Sequence, residues 1–382
     1  MINPFQYGGV VGKDAFCNRK KELADLTRAM ENGERIFVYS ERRMGKTSLI
    51  RLAMGQLPKK QYLCAYLDLW PTDGDESFAA VTAKAIAESM AGTADKMLQA
   101  AKAFFGGMTP TVTVDDKGTP KISFTFHRAG AGDPGLDEVL SAPARIAARR
   151  KCKVVMVFDE FQQILEYGSD FVERKLRSII QDQKDVSYVF LGSRKHLIQK
   201  MFLDQSRPLY RAGGHYALGP IEVQDWVPFI RKRFNDSNRV IADQHIQVVC
   251  GMTEGHPFYT QHLCHALWER CEEGGEVTED SINEAVDLLL DRERYAYTAL
   301  WESLAVNQQR FLRGLANEPE GVKVFSSDFL YQYGLRSPSN AQRVVGALLV
   351  RDIIDRDNGS FVIVDRFFRI WIGKMHSPLQ GD

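Results

Sequence analysis

The 382-residue sequence predicts an α/β domain built on a mostly parallel five-stranded sheet, followed by a small helical domain and a winged helix. Three observations carry this expectation. Short β-branched and aromatic runs alternate with helical periodicity as far as Gly219, the pattern of strands joined by crossover helices. After Pro220 the strand signals stop and helical ones replace them. Near the end, three helical stretches lead into a turn between two strand-like runs, which is the order of a winged helix.

The five strands are expected at Arg35 to Tyr39, Tyr62 to Leu67, Val154 to Phe158, Ser187 to Leu191 and His215 to Leu218. Between the second and third, residues 104–134 break the rhythm. There Thr111 to Val114 and Lys121 to Phe126 alternate in polarity around Asp115-Asp116-Lys117-Gly118. This reads as an inserted β-hairpin, and the Gly-rich run after it as a flexible loop. Helices follow at Trp226 to Phe234, Ala242 to Met252, Pro257 to Cys271 and Thr278 to Leu290. A long helix around Tyr295 to Trp301 is expected to lead into the last unit, with helices at Asn307 to Ala316, Ser326 to Tyr333 and Ser339 to Arg351 and a turn at Asp357-Asn358-Gly359. The expected domains are 1–219, 220–292 and 293–382.

Composition narrows the class of protein. Lysine plus arginine equals aspartate plus glutamate at 49 each, so the chain as a whole has no electrostatic pull toward nucleic acid or anionic lipid. No apolar run approaches the length of a spanning helix, and the N-terminus lacks the basic start and apolar stretch of a signal peptide. A cytoplasmic location is expected. The six cysteines show no C-x-x-C pair, which indicates packed, reduced thiols. His256, His262, Cys264, His265 and Cys271 form a metal-like cluster in which His262 and His265 have helix-ligand spacing. The same stretch reads better as an amphipathic core helix.

The chemistry concentrates in Ser40-Glu41-Arg42-Arg43-Met44-Gly45-Lys46-Thr47-Ser48, directly after the first strand and before a helical pattern. Backbone N–H groups of such a loop and the following helix N-terminus surround a phosphate. Lys46 then reaches the β- and γ-phosphates of ATP, and the Thr47 hydroxyl binds Mg²⁺. Ser40 stands where this loop type has glycine; it is the next smallest polar choice. Downstream, the apolar strand Val154 to Phe158 ends in Asp159-Glu160. There Asp159 meets Mg²⁺ through water and Glu160 polarises the attacking water. The alternative is a pair of acidic residues favouring the dipole of the next helix.

The fourth strand ends in Gly192-Ser193-Arg194. Ser193 is the candidate for contact with the lytic water or γ-phosphate, Arg194 the alternative, and a plain helix N-cap at Ser193 the competing reading. Arg207 and Arg211 precede the fifth strand. A guanidinium there can reach a γ-phosphate in its own or a neighbouring subunit, Arg211 being the better placed, or serve only as surface charge.

With these residues in hand the sequence resembles the archaeal-type ATPase family, a branch of the STAND group of AAA+ NTPases. The resemblance rests on Phe16-Cys17-Asn18-Arg19-Lys20-Lys21-Glu22-Leu23, the Arg-Arg-Met-Gly-Lys-Thr-Ser loop, Phe158-Asp159-Glu160-Phe161-Gln162, Leu191-Gly192-Ser193-Arg194, Pro208-Leu209-Tyr210-Arg211, Gly255-His256-Pro257, and Val364 to Trp371. It implies strand order 5-1-4-3-2, a helical lid and a C-terminal winged helix. It also implies that Val10 and Val11 lie near the adenine, that Phe16, Arg19 and Glu22 are mainly structural, and that Gly255 and Pro257 close on the nucleotide. The last two residues also read simply as a turn and a helix start.

Three functions are compatible with this pattern: a nucleotide-gated switch with slow hydrolysis, a DNA-handling ATPase, and a non-hydrolysing interaction module. ATP or ADP is the ligand in each, and assembly on ATP binding is open. From Glu293 to Asp382 there are 11 Lys or Arg against 10 Asp or Glu, a net of +1. That is a poor footprint for DNA and leaves a protein partner as the better occupant of the winged helix.

Overall fold

The computed structural model describes residues 2–9, 12, 16–90, 93–114, 116, 120–126, 134–319, 321–357 and 359–376. The chain divides into two compact units. One comprises Arg19–Ser40 and Lys46–Leu218; the other comprises Met1–Asn18, Glu41–Gly45 and Gly219–Asp382.

In the first unit the order is α1 (Lys20–Glu31), β1 (Arg35–Tyr39), α2 (Lys46–Gln56), β2 (Tyr62–Asp68), α3 (Asp75–Met90), α4 (Ala94–Phe104), β3 (Met108–Val114), β4 (Pro120–Phe126), α5 (Pro134–Arg150) and β5 (Lys153–Asp159). A 3-10 helix (Phe161–Glu166), α6 (Phe171–Ile180), β6 (Val186–Gly192), α7 (Lys195–Leu203) and β7 (Gly214–Ala217) complete it. The sheet runs β2-β5-β6-β1-β7 with every neighbour parallel. Counting only this sheet's own strands, that is 2-3-4-1-5, which from the other edge reads 5-1-4-3-2.

Central strands of a parallel sheet are covered on both faces and therefore carry unbroken apolar runs. Accordingly β6 is buried throughout, and β5 is buried beyond its first residue. Phe158 and Phe190 stack at 5.5 Å and Phe37 and Phe190 at 4.9 Å between ring centroids. Each such buried ring contributes roughly 1.5–3 kcal/mol. The inserted hairpin is present, with β3 antiparallel to β4 and packed on α3 and α4. Much of its turn and the Gly-rich loop after it lie outside the described residues.

The second unit carries α8 (Val223–Asn235), α9 (Asp243–Thr253), α10 (Pro257–Arg270), α11 (Glu279–Arg292), α12 (Arg294–Glu302), α13 (Val306–Asn317), α14 (Ser327–Gln332) and α15 (Pro338–Val350). Strands β8 (Ile354–Asp357) and β9 (Ser360–Ile363) form an antiparallel pair, and α16 (Arg366–His376) closes the chain. The expected lid and winged-helix segments both fall in this unit. The long helix expected around Tyr295 to Trp301 is instead the nine-residue α12, closed by Ser303 and Leu304, whose N–H groups bond back to Ala299 and Trp301. Helix α16 was not anticipated. Its start is fixed by Asp365, whose Oδ1 accepts from the N–H groups of Phe367 and Phe368 at 2.9 and 3.0 Å.

The stretch with the metal-like cluster is α10, and its side chains serve packing and turns. Cys264 is buried, and His256 caps the helix by accepting from Phe258 N–H. His265 Nδ1 lies 2.9 Å from the Phe5 carbonyl, and His262 stacks on Tyr7 at 3.9 Å.

Candidate phosphate-binding site

In the first unit, β1 ends on Tyr39 and α2 begins on Lys46, so the loop between them leads into a helix N-terminus, whose first N–H groups have no acceptor within the helix itself. Ser40 N–H bonds to the Gly192 carbonyl at 3.3 Å, tying the loop's start to the end of β6. Lys46, 6% exposed, donates from Nζ to Ser40 Oγ at 2.8 Å. The serine at the loop's first position is thus more than a small filler: it holds the ammonium. Ser48, the third residue of α2, is buried.

Thr47 Oγ1 donates to Asp159 Oδ2 at 2.9 Å, and Glu160 N–H donates to Asp159 Oδ1 at 2.9 Å. Glu160 occupies the left-handed region at φ 51°, and its side chain makes no cap to the 3-10 helix that follows. Its Oε2 accepts from Ser193 Oγ at 2.7 Å and from Gln162 Nε2. Ser193 therefore spends its hydroxyl on Glu160 and does not cap α7, whose N-cap is Arg194. The alternative Arg194 lies 4.0 Å from Glu166.

Two further candidates stand apart. Arg207 pairs with Glu173, which is almost fully buried. Arg211 is exposed, with its guanidinium 5.1 Å from the Tyr210 ring centroid. Among the described residues neither makes a hydrogen bond or ion pair with Lys46, Asp159 or Glu160. Arg19 pairs with Glu22 at 2.9 Å at the start of α1.

Residues Glu41–Gly45 of the same loop belong to the second unit. Gly45 adopts φ 85°, the conformation only glycine takes without strain, while Arg43 adopts φ 61°; a non-glycine residue there costs about 1–2 kcal/mol. Arg43 is offset by its guanidinium lying 4.2 Å from the Phe258 ring centroid. Arg42 pairs with Asp352 at 2.9 Å, and its carbonyl meets His256 Nε2 at 3.0 Å. Met44 is buried. Pro257 sits at the first position of α10. Val10 and Val11 lie outside the described residues.

A charge network went unforeseen in the second unit. Glu41 and Arg366 are both buried, with Arg366 Nη1 2.7 Å from Glu41 Oε2. Arg366 Nε lies 2.7 Å from Glu254 Oε2, and Glu254 also pairs with Arg369. Glu254 ends α9 at φ 53°, and Gly255 follows at φ 64°. A Cβ on Gly255 would approach the Ile221 carbonyl oxygen to 2.4 Å, so glycine is required there. The signal available in the sequence was Asp365 ahead of an apolar-periodic run, which marks α16 but not its partners.

Tyr66 was also missed. Its hydroxyl bonds to Asp159 Oδ2, and burial first, then the Asp159 charge, pushes its pKa well above the ordinary phenol value.

The oxygen donors Thr47 Oγ1 and Asp159 suit a hard divalent cation, which is held largely by phosphates and water in sites of this class. Among the described residues no group of three or more His, Cys, Asp or Glu makes a metal cage, and no helix is long and apolar enough to cross a membrane.

Residues 16–263 match the family model described as an ATPase domain predominantly from Archaea, and residues 295–374 match a probable winged helix domain. No curated protein matches the chain. Among solved structures it is similar to the Walker-type ATPase PABY2304 of Pyrococcus abyssi, with TM-score 0.63 and 15% identity over 94% of this chain and 97% of that one. It is also similar to the ORC2 protein of Aeropyrum pernix in its ADPNP–ADP complexes, with TM-score 0.53 and 13% identity over 94% of each chain. At these identities the likeness is one of fold, that of AAA+ ATPases.

Proposed function

The chain belongs to the family of ATPase domains found predominantly in Archaea, and from that premise we propose that it is an ATP-gated switch of the STAND kind with slow, Mg²⁺-dependent hydrolysis. Lys46, Ser48 and the backbone of residues 40–47 bind the phosphates of ATP or ADP. Thr47 and Asp159 are the residues that would hold Mg²⁺, which when bound neutralises charge on the β- and γ-phosphate oxygens. Glu160 orients the attacking water, with Ser193 setting its position. The winged helix offers a docking surface for a protein partner, and the site of action is the cytoplasm.

The observation that carries the switch reading is the buried pair Glu41–Arg366. Glu41 is the second residue of the phosphate loop, and Arg366 begins the last helix of the winged helix. Occupancy of the loop therefore acts on a residue bonded to the output domain. A ligand shifts a conformational equilibrium only through differential contacts with its two states, and a γ-phosphate within a loop so anchored supplies one.

Hydrogen exchange tests this on the full chain. Residues 353–376 should exchange at different rates with ADP and with a slowly hydrolysed ATP analogue. Identical protection in the two states overturns the switch reading and leaves a nucleotide-binding module.

A further inference from the structure

We propose that Tyr66 is a positioning residue for the metal-side carboxylate, its hydroxyl fixing Asp159 in the orientation that receives a divalent cation. The proposal rests on the assignment of Asp159 and Thr47 to the cation made above.

Strand register explains the contact. Tyr66 of β2 stands opposite Val157 of β5, and Asp159 is two residues further on, hence on the same face of the strand. A phenol is long enough to span that diagonal, and the Tyr66 hydroxyl reaches Asp159 Oδ2. Thr47 Oγ1 donates to the same oxygen at 2.9 Å, while Glu160 N–H holds Oδ1 at 2.9 Å. The carboxylate is thus oriented by three donors from three elements.

The ring is held as well. Arg51 lies one helical turn after Thr47 on α2, and its guanidinium sits 4.8 Å from the Tyr66 ring centroid. Thr47, Arg51, Tyr66 and Asp159 close a loop in which α2 presents one residue to the carboxylate and another to the tyrosine that orients it. A phenol is a hydrogen-bond donor throughout the neutral range.

A cation coordinated by the Thr47 oxygen needs Asp159 in one rotamer to anchor its water shell. Without Tyr66 the Oδ2 side keeps Thr47 alone, whose hydroxyl is then shared with the cation. Partners of this outer kind typically alter metal affinity by about 10–100-fold when removed.

The test is Tyr66→Phe, which keeps the ring under Arg51 and removes only the hydroxyl. Mn²⁺ binding is measured by electron paramagnetic resonance with a saturating slowly hydrolysed ATP analogue, and analogue binding is measured separately in EDTA. The expected result is a Mn²⁺ dissociation constant raised by about tenfold, with metal-free nucleotide affinity and melting temperature unchanged. Unchanged Mn²⁺ affinity overturns the proposal. So does a parallel loss of both affinities, which makes Tyr66 a general support of the loop. If the wild-type protein binds the analogue but no Mn²⁺, the assignment of the cation to Thr47 and Asp159 fails, and this proposal fails with it.

Discussion

Lys46 donates its ammonium to the hydroxyl of Ser40 at 2.8 Å, within a loop where both residues are buried. A phosphate competes with Ser40 for the donors of that ammonium. A hydrogen bond to a charged group is worth roughly 1.5–3 kcal/mol, of which only the part not returned by the new partner enters the exchange. Ser40→Ala should therefore tighten ATP binding by about three- to tenfold in calorimetry, whereas Lys46→Ala should weaken it by one to two orders of magnitude, since charge-assisted bonds to phosphate are lost. Weaker binding by Ser40→Ala would mean that the hydroxyl faces the nucleotide.

Glu160 has a distinct signature. The amide in Glu160→Gln still accepts from Ser193 Oγ, which lies at 2.7 Å in the native chain, yet it cannot polarise water. Turnover should fall by about 10² or more, with ATP affinity preserved. Wild-type hydrolysis in this variant would assign water activation elsewhere.

His262 sets a pH dependence of stability. Burial first, then the charges of His265, Arg292 and Arg43, lowers its pKa from 6.5 to about 4. Between those values the unfolded chain binds a proton that the folded chain refuses, so stability is complete above pH 6.5 and declines as pH falls toward 4. His262→Phe keeps a ring against Tyr7 and removes the titration. Its melting temperature should drop less between pH 7 and pH 4.5 than that of the wild type; equal drops would remove His262 as the cause.

The winged helix should be a poor binder of random duplex DNA. Its net charge from Glu293 to Asp382 is +1, from 11 basic and 10 acidic residues. On α15, Gln342 and Arg343 are exposed together with Gly346, Ala347 and Val350, and Arg351 bonds to Ser303. Few cations remain for counterion release, so fluorescence anisotropy of the full chain should give a dissociation constant no tighter than about 10⁻⁴ M at physiological salt. Micromolar binding with a steep salt slope would favour the DNA-handling alternative.

The sheet and the phosphate loop were legible because they are local. An apolar run such as Val154 to Phe158 announces a central strand, and Gly45-Lys46-Thr47 after β1 marks a candidate anion site. Side-chain partnerships were not legible in this way. Tyr66 meets Asp159 only through the register of β2 with β5, and Glu41 meets Arg366 across 325 residues of chain. Composition and periodicity carry no signal for either. Ser193 reads in the sequence as a contact for the lytic water or γ-phosphate or as a helix cap; that its hydroxyl donates to Glu160 is visible only in the structure.

The assignment of Glu41–Gly45 to the unit that otherwise holds residues 1–18 and 219–382 bears on how the gene can be dissected. The backbone crosses between units at four places, two of them inside the phosphate loop, so no single cut yields either unit whole. A fragment stopped at Leu218 would retain Glu41 but lose Arg366, stranding a carboxylate whose natural surroundings are almost dry. Truncations intended to isolate an ATPase module would thus damage the segment they aim to study. Shuffling of this output domain between relatives would require Glu41 and Arg366 to be inherited together.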